Sequence, residues 1–352
     1  KNGKYYFFRT SDVGIVHVSD NLMDSRDKLN ETGIKGLKLF PKNTILFPKS
    51  GASTFLNHRA MLGVGGYVSS HLATIIPDEN KILSKFLFNL LKKVDAKSLT
   101  NDQNYPSLKT SEIAKIKIPL PPIEVQREIV EQIEKYQNII DGAKQIISNY
   151  KPAIKVDSTW QIIELGNLFL DTKLGLVKDK SMQADVFPYP YVKMENISID
   201  GNLELNSVVH VEASKEELEK YTLNDGDFIY NTRNAPNLVG KSTIYHGENG
   251  KYLFNNNILR IRFRKEADPD YINYFLNTEE GKQKIKTLVS GTTSVAAIYQ
   301  KNFATITISL PPIEIQKEIV AEITKEKECV FASAKTIDIF EKKISQLIND
   351  IL

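Results

Sequence analysis

Leu120-Pro121-Pro122-Ile123-Glu124-Val125-Gln126-Arg127-Glu128-Ile129-Val130 returns almost unchanged as Leu310-Pro311-Pro312-Ile313-Glu314-Ile315-Gln316-Lys317-Glu318-Ile319-Val320. The copies lie 190 positions apart and differ at two of eleven residues, Val125 against Ile315 and Arg127 against Lys317. A period of this length means duplicated domains, because solenoid repeats are far shorter. In each copy the prolines set a non-helical approach and suit a first turn. Glu-x-Gln-x-Glu then supplies good helix formers, its acids near the positive N-terminal end. A helix is expected to start here, twice.

The residues after each copy share one character. Ile129, Ile133, Tyr136, Ile140, Ala143, Ile147 and Tyr150 fall at alternating steps of four and three, the apolar seam of a coiled coil. The second copy runs Ile319, Ile323, Val330, Ile337, Phe340, Ile344, Leu347 and Ile351, with Glu326 and Ser333 interrupting. Each helix therefore needs a partner helix. At about 1.5 Å per residue they reach roughly 40 to 60 Å, beyond one DNA turn of about 34 Å, which suits a spacer.

The 352 residues allow two or three domains, and 41% hydrophobic with 25% charged residues is the composition of an ordinary globular protein. No stretch approaches the ~20 apolar residues of a membrane span and no signal peptide opens the chain, so a cytoplasmic location is the default. The single cysteine, Cys329, excludes an internal disulfide and reads as a small buried hydrophobe of the second helix. Five histidines show no metal-ligand spacing. A net charge of +3 permits nucleic-acid binding without arguing for it.

Ahead of the first motif, Tyr5-Tyr6-Phe7-Phe8, Thr44-Ile45-Leu46-Phe47 and residues 71–76 read as strands, and residues 83–94 as a helix. The second half repeats the order. Residues 190–197 stand for 6–13, Asp227-Phe228-Ile229-Tyr230 for Thr44-Ile45-Leu46-Phe47, and 271–276 for 82–87. Only the second copy has an opening from Trp160 to Tyr189, so a segment of that size is expected before Lys1. The expected fold class is α/β, with two domains of similar fold at residues 1–119 and 153–309. Each is followed by a long helix, at 120–152 and 310–352, and the two helices are expected to pack as an antiparallel coiled coil with pseudo-twofold symmetry.

This arrangement resembles the specificity subunit of type I restriction-modification systems. The resemblance rests on Ile116-Lys117-Ile118-Pro119-Leu120-Pro121-Pro122 with Gln126, on Ile306-Thr307-Ile308-Ser309-Leu310-Pro311-Pro312 with Gln316, and on the Trp160 to Gly166 opening and the Gly226-Asp227-Phe228-Ile229-Tyr230 strand. It implies two target-recognition domains, each reading half of a split double-stranded DNA site, and helices that set the gap. It also implies methyltransferase subunits docked on the spacer helices and recognition domains, with endonuclease subunits as a further partner. By the same resemblance this chain holds no cofactor, and S-adenosylmethionine, ATP and Mg belong to the partners.

Phosphate contacts need cations and small hydroxyls, and base readout needs Arg, Asn, Gln, Ser or Thr on exposed loops or strand ends. Two loops carry both kinds. One is Lys49-Ser50-Gly51-Ala52-Ser53-Thr54 with His58 and Arg59 behind it. The other is Asn231-Thr232-Arg233-Asn234-Ala235-Pro236-Asn237 with Gly240 and Lys241. Such compositions are also common in plain turns. Arg9 and Thr10, and Lys193 at the place matching Arg9, come directly after a strand in each copy. The DNA-binding candidates are Arg9, Thr10, Lys49, Ser50, Lys193, Thr232, Arg233, Asn234 and Lys241. Arg260, Arg262 and Arg264 alternate along one strand, which reads first as a solvated face with Leu259, Ile261 and Phe263 inward. Residues 101–105 and 291–294 are further loop candidates.

No Walker loop and no Asn/Asp-Pro-Pro-aromatic motif appears. Asp270, Glu280 and Lys282 have the residue order of a metal-dependent nuclease, but Asp270 reads as a helix start and the first copy has no counterpart. The expectation is a non-catalytic subunit that directs adenine methylation and restriction by others. Two rivals stand beside it: the recognition part of a fused single-chain restriction-methyltransferase, and a helical adaptor without DNA.

Overall fold

A computed structural model describes residues 3–16, 21–100, 107–292 and 295–352. The chain divides into two compact units, Lys1–Ile147 with Ser333–Leu352, and Ser148–Ala332.

The first unit begins with β1 (Tyr5–Phe8), α1 (Thr10–Val16), β2 (Asn21–Leu22), β3 (Asp27–Leu29), β4 (Leu39–Phe40) and β5 (Ile45–Pro48). It continues through α2 (Ala52–Phe55), β6 (Ala60–Leu62), β7 (Gly66–Val68), β8 (Leu72–Ile75), α3 (Ser84–Leu91) and α4 (Thr110–Ile113) to α5 (Ile123–Asn149). The fully buried run of β5 is flanked antiparallel by β6 and β8. β1 pairs antiparallel with β3 and parallel with β7. At Gly66 a Cβ would stand 2.5 Å from the Phe8 ring, so only glycine lets β7 lie this close to β1.

The second unit runs β9 (Gln161–Glu164), β10 (Phe169–Leu174), β11 (Tyr189–Val192), β12 (Val209–Val211), α6 (Lys215–Tyr221), β13 (Asp227–Asn231), β14 (Arg233–Asn234) and β15 (Ser242–Tyr245). Then come β16 (Leu253–Phe254), β17 (Ile258–Phe263), α7 (Pro269–Asn277), α8 (Glu279–Thr287), β18 (Ser290–Gly291), β19 (Ala296–Ala297), α9 (Gln300–Phe303), β20 (Thr307–Leu310) and α10 (Ile313–Asn349). The pairings of the first unit return. β13 is buried throughout and lies antiparallel between β15 and β17, and β11 pairs antiparallel with β12 and parallel with β16. The extra opening adds β10 along β17 and β9 along β20. Its main core gathers Leu165, Phe228, Tyr230, Ile261, Tyr271 and Phe303.

Both long helices start at the residue after Pro-Pro, as the motif predicts. Their 27 and 37 residues correspond to about 40 and 55 Å. Gln126 and Gln316 explain why the motif is kept. Each is fully buried and makes the same three hydrogen bonds. The Gln126 amide donates to the Lys81 and Pro121 carbonyls at 3.0 and 2.8 Å, and its oxygen accepts from Leu83 N at 2.9 Å. Gln316 donates to the Glu266 and Pro311 carbonyls at 2.9 and 2.8 Å and accepts from Asp268 N at 2.8 Å. One side chain thus fastens the start of each long helix to the start of α3 or α7.

These bonds correct the sequence register. Leu83 occupies the place of Asp268, so Phe86 stands for Tyr271, about one helical turn from the pairing of 82–87 with 271–276. Apolar periodicity alone cannot separate registers one turn apart, whereas the glutamine contacts do.

On α5 the buried positions are Gln126, Val130, Ile133, Ile140 and Ala143, so Ile133, Ile140 and Ala143 of the expected seam are inside. Ile147 is more than a third exposed. Val130 and Ile133 share a cluster with Phe86, Leu90 and Ile348, edged by Ile344, Leu347 and Ile351. The Tyr136 and Phe340 rings meet at 5.2 Å, and Lys144 reaches Glu341 at 3.9 Å. Two expectations fail on α10: Ser333 is buried rather than an interruption, being small enough for the seam, and Cys329 is exposed rather than buried. No helix among the described residues is long and apolar enough to cross a membrane.

Replacing Gln316 by Ala strands two carbonyls and one N–H in the interior. An unsatisfied buried group costs about 1–3 kcal/mol, so Gln316→Ala is expected to lower unfolding free energy by on the order of 3 kcal/mol in a denaturant titration. A loss under about 0.5 kcal/mol would show that the clamp contributes nothing.

Candidate nucleic-acid interface

In both units the buried central strand delivers its next residues to the same backbone frame. Beyond β5, Lys49 N donates to His71 O at 3.0 Å and Lys49 O accepts from Leu108 N at 2.7 Å. Beyond β13, Thr232 N donates to Asn257 O at 2.8 Å and Thr232 O accepts from Ile298 N at 3.0 Å. Ser50 then bridges to Ser107, while Arg233 and Asn234 pair with Ala297 and Ala296. Lys49-Ser50 and Thr232-Arg233 are therefore equivalent positions, in the register that pairs 44–47 with 227–230.

The Asn231 side chain, fully buried, donates to the Arg233 and Asn257 carbonyls at 2.9 and 3.1 Å and accepts from the Asn234 amide at 2.9 Å. Asn234 accepts in turn from Ala235 N at 2.8 Å, and the Thr232 hydroxyl donates to Asn257 O at 3.0 Å. The asparagines and Thr232 thus shape the loop. Arg233 projects from it, exposed, and its guanidinium has no partner among the described residues. In the first unit the Ser50 hydroxyl lies 2.6 Å from His71 Nδ1, and Lys49 is half-buried with no partner for its ammonium among the described residues.

The turn after the first strand also recurs. Arg9 N donates to the Asp12 carboxylate at 2.7 Å, and Lys193 N donates to the Asn196 side chain at 2.8 Å. Arg9 and Lys193 sit at matched turns, with their charges engaged by Asp27 at 2.9 Å and Glu195 at 2.9 Å. The structure brings these turns to the loops: Ser53 Oγ donates to Thr10 O at 3.3 Å, and Lys241 donates to the carbonyls of Met194 and Ile197.

Several cations near the loops serve the interior instead. The Lys241 ammonium is held by those carbonyls, and burial lowers its pKa. Gly240 beside it has φ of +88° and a Cβ site 2.5 Å from Ile285, which requires glycine. Arg59 is buried with its guanidinium 3.4 Å from the Phe47 ring centroid, donating to the His58 and Val94 carbonyls at 2.7 and 3.2 Å. Burial lowers its pKa to about 10. Arg59 and Lys241 thus have internal duties, each directly ahead of the strand that follows its loop, β6 or β15.

The arginine strand is likewise not a solvated face. Arg260 is 5% exposed and paired with Asp171, and Arg262 bonds the buried Asp227 at 2.6 and 3.2 Å. β10 covers β17 along this edge, so Arg260 lies in the interior together with Leu259 and Ile261. Burial and neighbouring Arg262 lower its pKa, opposed by Asp227 and Asp171. Of the three, only Arg264 is exposed.

Asp270, Glu280 and Lys282 form no common site. Asp270 lies in the first turn of α7, as expected, and meets His246 at 3.0 Å, while Glu280 pairs with Lys284 at 2.9 Å. Among the described residues no group of three His, Cys, Asp or Glu is placed to hold a metal. Residues 101–105, with Thr293 and Ser294, lie outside the described residues.

Sequence reasoning missed the groups that other segments bring beside Arg233. A recess of about 230 Å³ has Thr232, Arg233, Asn256, Tyr299 and Gln300 on its wall. They come from three separate stretches, so no local pattern joins them. The offset of the Leu-Pro-Pro motif would have placed Tyr299 opposite Lys109, the one signal available.

Two domains of one topology, each fastened by the same glutamine to a long helix and each presenting a loop beyond its central strand, define a duplicated recognition module. The chain belongs to the type I restriction modification DNA specificity domain family, whose profile matches residues 1–149 and 157–338. It is 23% identical over 369 residues to the type I restriction enzyme EcoKI specificity subunit of Escherichia coli, covering 96% of this chain and 75% of that protein. It is 27% identical over 190 residues to a MjaX specificity subunit of Methanocaldococcus jannaschii, covering 53% of this chain and 44% of that one. Among solved structures, a chain from a study of complex assembly and conformational transition of the type I R-M system superimposes with a TM-score of 0.59 at 17% identity. That match covers 99% of this chain and 90% of the other.

The contrasting surroundings of two arginines make a direct stability test. Arg260→Ala removes a large buried side chain and its carboxylate bond and is expected to cost about 2 kcal/mol, whereas Arg233→Ala should stay within about 0.5 kcal/mol. Denaturant unfolding of the two variants checks this, and equal losses would contradict the assignment of Arg260 to the interior.

Proposed function

We propose that this chain is the DNA-reading subunit of a type I restriction-modification complex, each unit's recognition domain contacting one half of a divided target. The observation that carries the reading is the matched delivery of Lys49-Ser50 and Thr232-Arg233 by one backbone frame in two domains of a DNA-specificity family. Such a frame keeps backbone geometry constant while the side chain at its tip varies. That is what two readers of different half-sites require, since sequence is read by side chains on base edges.

Arg9, Thr10, Lys49, Ser50, Lys193, Thr232, Arg233 and Asn234 cluster around these frames and form the proposed contact set. Lys241 acts within it as a brace, because its ammonium holds the 194–197 turn. Arg233 and Lys49 are the two whose charged ends have no partner among the described residues.

The two long helices, in this reading, pack antiparallel as a coiled coil with pseudo-twofold symmetry and act as the ruler between the domains. The support is the company each end keeps: early α5 residues Val130 and Ile133 cluster with late α10 residues, while Lys144 reaches back to Glu341. The chain itself is non-catalytic in this proposal. Methyltransferase subunits docked on the helices and domains, with endonuclease subunits as a further partner, carry S-adenosylmethionine, ATP and Mg.

The test is binding of duplexes in which either half of the mapped methylation target is scrambled. Arg233→Ala is expected to relax discrimination at one half by on the order of tenfold or more, with the other half unchanged. Loss at both halves by a normally folded variant contradicts independent readers.

A further inference from the structure

The recess beside Arg233 is built differently from a phosphate cradle. Its apolar lining is Leu259 and Ile298, both buried, with half-exposed Leu174, and beside the engaged Gln300 its rim carries Arg233, Asn256 and Tyr299, a cation, an amide and a phenol. A phosphate site gathers several cations or backbone N–H donors, whereas a base-pair edge in the major groove offers directional donors and acceptors and, at thymine, an apolar methyl group. Arg233 is exposed, Tyr299 is 52% exposed, and none of the three rim side chains has its polar end engaged among the described residues.

The walls are held firmly while the rim is left available. Tyr230 stacks on Phe303 at 4.1 Å with its ring nearly parallel and donates its hydroxyl to Ile298 O at 2.9 Å. Gln300 donates to the Thr172 hydroxyl at 3.0 Å, tying the start of α9 to β10. Asn256 N donates to Leu176 O at 3.1 Å, which fixes its backbone. Rigid supports beneath uncommitted polar groups are what directional readout needs.

Resting on the reading proposed above, we infer that Tyr299 and Asn256 are specificity-determining residues, acting with Arg233 as one group that reads one or two adjacent base-pair edges of one half-site through the major groove. The guanidinium offers paired donors suited to guanine O6 and N7, and the Asn256 amide offers a donor and an acceptor. The Tyr299 hydroxyl adds a donor and an acceptor beside them, with its apolar ring next to it. The first domain has Ser50, bonded to His71, where the second has Arg233, and it has Lys109 in the motif register of Tyr299. Its counterpart position therefore carries different chemistry, and loss of Tyr299 touches one half-site alone.

The experiment is a selection from randomised duplexes by the native complex, carried out with the wild-type chain, Tyr299→Ala, Tyr299→Phe and Asn256→Ala. Thermal unfolding of each variant shows whether it is folded. The wild type should return a divided sequence. Tyr299→Ala and Asn256→Ala should each lose on the order of tenfold preference at the same one or two adjacent positions of one half-site, with Tyr299→Phe intermediate. Tyr299→Ala should also leave the salt dependence of binding unchanged, since each lost phosphate contact would lower the log–log slope by about 0.9. Folded alanine variants that return the wild-type sequence overturn this inference while the proposed function stands. Reduced affinity with unchanged base preference and a lower salt slope also overturns it, in favour of a backbone contact. A wild-type complex that selects no sequence overturns both.

Discussion

A buried glutamine that bonds two helix starts at once is the constraint on which this structure depends. Gln126 and Gln316 each join the first turn of a long helix to backbone groups that open the domain's own helix, α3 or α7. Each clamp has one acceptor and two donors, all satisfied, in a site with no exposure. Such a group tolerates no substitute, because a shorter side chain leaves interior polar atoms bare and a charged one adds a burial cost. Leu-Pro-Pro before it halts the preceding segment and fixes where the helix begins. The motif thus fastens the first turn of each long helix to its own domain.

Constancy of the frame has a complement in variation at its tips. β5 and β13 are buried along their whole length, flanked by the same partners, and succeeded by the same pair of backbone hydrogen bonds. The side chains that emerge differ: Lys49 and Ser50 in one domain, Thr232 and Arg233 in the other. The cations just behind, Arg59 and Lys241, are drawn inward to carbonyls and an aromatic face. Local charge was therefore a poor guide to exposure, since an arginine or lysine near a loop served as an internal brace wherever backbone carbonyls awaited a donor.

These particulars decide how much could be read from sequence. The repeated motif announced both long helices, the strands beginning at Tyr5 and Ile45 were visible as short apolar runs between turn residues, and the resemblance carried by the doubled motif named the family. Short-range pattern failed where tertiary partners decide. Arg260 alternates with apolar residues like a surface residue, yet β10, which pairs beside it from nearly ninety positions away in sequence, supplies Asp171 and covers it. Ser333 looked like a break in the seam and fits inside it, and Cys329 looked buried and lies outside. Tyr299 and Asn256 were invisible because the recess they share with Arg233 is assembled from distant stretches.

A fixed distance between two readers, with the long helices as its measure, is the central claim of the proposed function. The direct measurement is the affinity of the native complex for duplexes whose two half-sites are separated by gaps varied one base pair at a time, with and without one heptad removed from each helix. A heptad is about 10 Å of helix, close to three base pairs at about 3.4 Å each. The account predicts one preferred gap for the wild type, at least about tenfold weaker binding one base pair either side, and a shorter preferred gap in the deleted protein. Equal affinity across gaps, or a preferred gap that ignores the deletion, would contradict it.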